Sequence, residues 1–334
     1  MRTGKELILA TKPYAKEIVW KSWFTTISTL LLLIASLLAT HFVPHLLGKI
    51  AFSILSALLL SRSFIIYHDY LHHTILHKSP LAKVIFTLFG VYMISPPSIW
   101  KRSHDFHHNH NAKLYSASIG SYPIMTKDKF LSAPKAERFF YLSVRSPLNM
   151  FFAYFTTFMY GLCIQSFLSS ARRHWDSLLT LIIHFSIAIF LFVHFGWITW
   201  FLVFFLPFFL SHMLGAYLFF AQHNFPEVMF RSNTEWTYAN AALESSSYMK
   251  MNPLMQWFTA NIGFHHIHHL NSRIPFYRLP EAMANVPELQ DPKITTLKIS
   301  DILRCLRLKV WDPEKNKMIG YKEMGYKKFS AAVS

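Results

Sequence analysis

Cysteine is nearly absent: the 334 residues include only Cys163 and Cys305. They lie far apart and form no C-x-x-C pair, so neither a disulfide framework nor a thiolate metal site is expected. Any metal must be held by histidines or carboxylates. Acidic residues are also scarce, 17 against 33 lysines and arginines, for a formal charge of +16. No basic soluble module accompanies that charge, so nucleic acid is not an expected partner. Basic loops that set membrane topology and face anionic headgroups account for it better. A G-x-G-x-x-G fingerprint, a P-loop and a haem-attachment motif are missing too. Electrons for any redox chemistry would come from outside the chain.

Apolar and aromatic side chains are abundant, 52% and 17% of the chain, at a mean hydropathy of only +0.26. That balance predicts a chain that is part bilayer and part aqueous head. Apolar runs able to cross ~30 Å of hydrocarbon are read at 23–43 and 45–62, joined at Pro44, and at 178–194 and 198–220, joined around Gly196. Residues 1–22 form a basic cytosolic segment, and the run after it is expected to be a retained span.

The stretch 84–95 is stopped by Pro96 and Pro97 and is too short to cross, so it is read as interfacial or re-entrant. Residues 148–168 are long enough, but Arg145 precedes them and Arg172 and Arg173 follow. Counting that stretch as a crossing would place one basic loop outside, so it is read as interfacial. The expectation is an all-α integral membrane protein: four transmembrane helices in two hairpins, a membrane domain over 23–311 with a cytosolic helical cap, and a charged tail over 312–334.

Of 19 histidines, twelve fall in three windows, His68 to His77, His104 to His110 and His265 to His269. His68 and His72 are four apart and share a helix face. His104, His107, His108 and His265, His268, His269 are both i, i+3, i+4 sets. His223 follows the last apolar run, on the same expected membrane side. His73, His77, His110 and His266 fall off these stripes and are assigned outer or solvent positions.

Nine imidazoles exceed what one first-row ion can use, so two metals are implied. Imidazole alone does not choose between iron, zinc, copper and nickel. A two-metal site at the bilayer interface, where an acyl chain can enter and inert C–H bonds need activated oxygen, favours two iron ions with O2 as co-substrate. Asp69 and Asp105 each follow the first histidine of a window. Each is placed to fix a ligand's tautomer or, equally, to pair with a basic residue such as Arg102. His212, eleven residues before His223, lies about three turns deeper. It is read as lining a substrate tunnel or as an interhelical hydrogen bond.

The motifs HDYLH at His68 to His72, HDFHH at His104 to His108 and HHIHH at His265 to His269 resemble the membrane fatty acid desaturase and hydroxylase superfamily. The first box, with three residues between its histidines, is similar to those of Δ12 or ω6 acyl-lipid desaturases. AQHNFPEV around His223 and the residues flanking the third box look like bacterial members. One departure is His73, where the family often has glycine. The resemblance implies a four-span bundle with a di-iron cap in a bacterial inner membrane, histidines facing the cytosol. It also implies an acyl lipid, acyl-CoA or acyl carrier protein substrate, and ferredoxin or cytochrome b5 as electron donor.

The expected reaction is oxygen-dependent formation of a cis double bond in a fatty acyl chain. A hydroxylase or carotenoid ketolase would share the boxes. A histidine-rich divalent-metal transporter is the alternative of another class, but transporters place their ligands within spans near the midplane, whereas these clusters lie outside them.

Overall fold

The computed structural model describes residues 2–116 and 119–325. Of the tail expected over 312–334, residues 326–334 lie outside the described residues. The fold is mostly helical. The elements that matter for the site are α1 (Gly4–Thr11), α2 (Val19–Phe42), α3 (Leu46–Leu71), α4 (Pro80–Tyr92), α5 (Pro97–His110), α6 (Trp175–Thr199), α7 (Leu206–His223) and α8 (His265–Leu270).

α2 and α3 have 24 and 26 residues, about 36 and 39 Å of rise. The burial of α2 is inside out. α2 buries Ser22, Thr26, Thr29, Leu33, Ser36 and Thr40, one stripe at helical spacing, while Trp20, Phe24, Leu31, Leu38 and Phe42 are exposed. A helix in water would hide the large apolar groups. In lipid, helices meet through small side chains and hydrogen bonds instead. Ser36 donates to the carbonyl of Phe52 at 2.9 Å and accepts from Ser56 at 2.9 Å, which ties α2 to α3.

The helical stretch Trp175–His223, apolar enough to cross a membrane and 49 residues long, is not one rod. At Gly196 the backbone takes φ 80, ψ 169, a conformation that suits a residue without Cβ. The chain turns back there. The rings of His184 and Phe208 lie 5.0 Å apart, whereas 24 residues of straight helix would separate them by about 36 Å. Among the described residues three helical stretches are long and apolar enough to cross, with the folded-back Trp175–His223 counted once, or four if α4 and α5 count as one broken span.

α4 and α5 meet at 90°, with the break at the prolines that end the 84–95 run. The hydroxyl of Tyr67 donates to Ser95 O at 2.8 Å and holds that corner against α3. Residues 147–169 are helical in three pieces, the longest a wide π-type turn of 11 residues, Tyr154–Ile164. The cap adds two small sheets. Tyr248–Lys250 pairs in parallel with Ile294–Thr296, and Val310–Asp312 pairs antiparallel with Lys317–Ile319, so the first part of the tail folds onto the cap. Both cysteines are free and buried.

Candidate metal centre

α3 runs past the end of its apolar stretch because Arg62 is accommodated rather than expelled. Its Nε donates to Thr29 Oγ1 at 3.0 Å, Nη1 donates to the carbonyl of Trp257, and the guanidinium sits 4.0 Å over the Trp257 ring. The added turns bring His68 to the last turn and His72 to the C-terminal cap. The next residue, His73, has φ 57, in the left-handed region that favours glycine. α5 carries the second set of histidines, His223 ends α7, and α8, with all six residues buried, carries the third.

The nine histidines fall into two groups, His68, His72, His104, His108, His268 and His107, His223, His265, His269. Within each, one nitrogen per residue lies within 4.8 Å of all the others. Each triad is shared. In α5 the i, i+4 pair joins the first group and His107 the second; in α8 the pair His265 and His269 joins the second and His268 the first. The reason is angular: i+4 returns about 40° past the starting residue on a helix, while i+3 falls about 60° short of it. The rings of His108 and His269, one from each group, stack at 4.2 Å, so the groups adjoin.

Inside the groups Nε2 faces Nε2: His68 and His104 at 2.9 Å, His104 and His108 at 3.1 Å, His108 and His268 at 3.1 Å, His107 and His223 at 3.1 Å. The buried Nε2 atoms of His72 and His269 have no hydrogen-bond partner. Burial, with the neighbouring imidazoles adding to it, pushes His72, His265, His268 and His269 well below the ordinary histidine value of 6.5. Neutral imidazoles that aim converging lone pairs at one another fit a cation. Neither group includes a carboxylate.

Outer nitrogens are held too. His68 Nδ1 lies 3.2 Å from Asp69 Oδ1, and Asp69 Oδ2 accepts from the Phe276 N–H at 2.7 Å. His107 Nδ1 is 2.8 Å from Ser121 Oγ, and His223 Nδ1 donates to Ser245 O at 3.1 Å. Ser121 and Ser245 carry no sequence signal, one being a loop hydroxyl and the other a backbone carbonyl. Asp105 does not join this layer; it pairs with Lys101 at 2.8 Å. His212 is buried in the bundle, its Nδ1 2.7 Å from Phe208 O and its Nε2 3.2 Å from Met93 O, an interhelical contact. His73 and His77 are exposed, His110 stacks on Phe106 at 3.9 Å, and His266 is buried with Nε2 3.3 Å from Leu289 O.

A family profile described as fatty acid desaturase matches residues 40–297. A fatty acid desaturase of Bacillus subtilis (strain 168) is 30% identical over 275 residues, 82% of this chain and 77% of the relative. The sn-1 oleoyl-lipid 12-desaturase of Synechocystis is 23% identical over 276 residues, 81% of this chain and 77% of the relative. A chloroplastic omega-6 fatty acid desaturase of Spinacia oleracea is 22% identical over 234 residues, 67% and 50% of the two chains. Taken with the histidine groups and the apolar helices, these matches show that the chain belongs to the fatty acid desaturase family, as a membrane oxidoreductase acting on lipid.

Proposed function

We propose that the five-histidine and four-histidine groups each hold one iron ion, and that the enzyme introduces a cis double bond into the acyl chain of a membrane lipid. The observation that carries this reading is the pair of adjoining all-imidazole groups at the heads of long apolar helices. When bound, two iron ions supply activation of dioxygen, which an unactivated methylene requires. Dioxygen, two hydrogens of the chain, two electrons and two protons leave as two waters. The electrons come from an external protein donor, a ferredoxin or cytochrome b5.

The protein's own part is placement. Burial keeps the imidazoles neutral, Asp69, Ser121 and the Ser245 carbonyl fix ring orientation, and α3 and α5 exclude water from the centre. The chain lies in a bacterial inner membrane with four spans and its histidines facing the cytosol. A relative described as acting on oleoyl lipid supports an acyl lipid as substrate rather than an acyl-CoA or acyl carrier protein.

Expression in a host rich in saturated and monounsaturated lipids, together with a competent donor, tests the reading. New cis-unsaturated fatty acids in gas chromatography with mass spectrometry are expected, dependent on oxygen and iron. Hydroxylated chains, or changes confined to supplied carotenoids, would replace the desaturation step while leaving the metal site.

A further inference from the structure

Arg145 is 1% exposed and has no carboxylate at ion-pair distance among the described residues. Its Nη1 donates to Pro123 O at 2.9 Å and its Nη2 to Asn224 Oδ1 at 2.5 Å, while Nε has no partner. The ring faces of Phe220 and Tyr141 lie 5.3 and 5.7 Å away, and Lys309 Nζ donates to the Arg145 carbonyl at 3.1 Å. Neutral carbonyls and ring faces solvate a guanidinium but do not cancel its charge, and a buried charge calls for an opposite one.

Arg145 lines a cavity of about 60 Å³, room for several waters or one tetrahedral oxyanion. Lys113, whose ammonium lies 5.2 Å over the neighbouring Trp236 ring, lines it with Asn111 and Tyr122, as do His107 and His223 of the four-histidine group. No aspartate or glutamate is among the described residues that line it. Two basic residues, two amides, two phenols and, among the described residues, no carboxylate make a pocket of one sign, partly screened from water, where charge-assisted bonds are strong.

We propose that this cavity is an oxyanion site that takes a phosphate group, held by Arg145 and Lys113 beside the four-histidine group. The phosphate belongs either to the headgroup of a phospholipid or to free inorganic phosphate. The assignment does not depend on which metal the histidines hold.

The test uses the full-length, metal-loaded protein in a maltoside detergent, which carries no phosphate, titrated calorimetrically with inorganic phosphate. Saturable binding is expected, weakened at least tenfold in Arg145→Gln and largely kept in Arg145→Lys. Lys113→Gln, whose side chain bonds neither Pro123 nor Asn224, is expected to weaken binding severalfold and decides the matter if Arg145→Gln does not fold. Competition by a short-chain phosphatidic acid in the wild type identifies a lipid headgroup as the source, and its absence identifies the free ion. Lack of saturable phosphate binding by the wild type, or unchanged affinity in the folded variants, overturns the site.

Discussion

The Nε2 atoms of His223 and His265 lie 2.9 Å apart across 42 residues of sequence. His223 stands outside the three histidine windows, yet it touches His107 as well, at 3.1 Å. It therefore joins α5 to α8 within the smaller group. Removing it leaves three nitrogens there, so His223→Ala is expected to lose about half of the bound iron and nearly all activity. His77→Ala, at an exposed position, should keep both. Metal analysis of the purified variants beside product chromatography checks this; full activity in His223→Ala would sink the ligand assignment.

How far the sequence carried the reading depends on the range of the physics involved. Long apolar runs and clustered histidines are local patterns, and both stand in the fold as helices and as groups. The end of α3 was legible in part: the apolar run stops at Arg62 while the helix goes on to His68, but the burial of Arg62 against Thr29 and Trp257 depends on residues far off in sequence. The two HD pairs look alike in sequence, yet Asp69 finds a buried N–H from Phe276 while Asp105 finds Lys101 one turn back. The sharing of each triad between two groups needs the helices' relative rotation, which spacing alone does not supply.

Gly120 shows how a loop reaches the site. It has φ +66, and a Cβ there would meet Ser103 O on α5 at 2.2 Å. The adjacent Ser121 holds His107 Nδ1 at 2.8 Å. Gly120→Ala therefore carries ~1–2 kcal/mol of backbone strain besides the clash, and lifts Ser121 away. Loss of an outer hydrogen bond of this kind costs about 10–100-fold in metal affinity or activity. The variant should show a clear fall in melting temperature and release iron to a chelator faster than Ser121→Ala.

Acid should unfold the metal-free protein early. Burial lowers His266 from 6.5 to about 4, and His72, His265, His268 and His269 shift the same way. A histidine held neutral in the fold binds fewer protons than in the unfolded chain, so stability rises with pH across this range. Its contribution is complete above about 6.5 and is lost as pH falls from 6.5 towards 4. Melting temperatures of the chelated protein at pH 7.5, 6 and 5 should decline in that order, and a flat profile would show that these imidazoles are not buried neutral.

Orientation in the membrane is open to a direct chemical test, since Cys163 and Cys305 are both buried and give little background labelling. The reversal at Gly196 puts Trp197, 64% exposed, at the far end of the second hairpin from His223. Gly196 itself is a poor site for a probe, because its φ of +80 would strain any side chain. Ser170 lies in the turn before α6, next to Arg172 and Arg173, which should stay cytosolic. With four spans, Trp197→Cys is expected to react with an impermeant maleimide added to intact cells, and Ser170→Cys only after the membrane is opened. The α6 and α7 lengths require the two positions to lie on opposite sides if that pair crosses as a hairpin. External labelling at Ser170 would instead make residues 148–168 a further crossing, and labelling of neither before permeabilisation would leave the α6–α7 pair dipping into one leaflet.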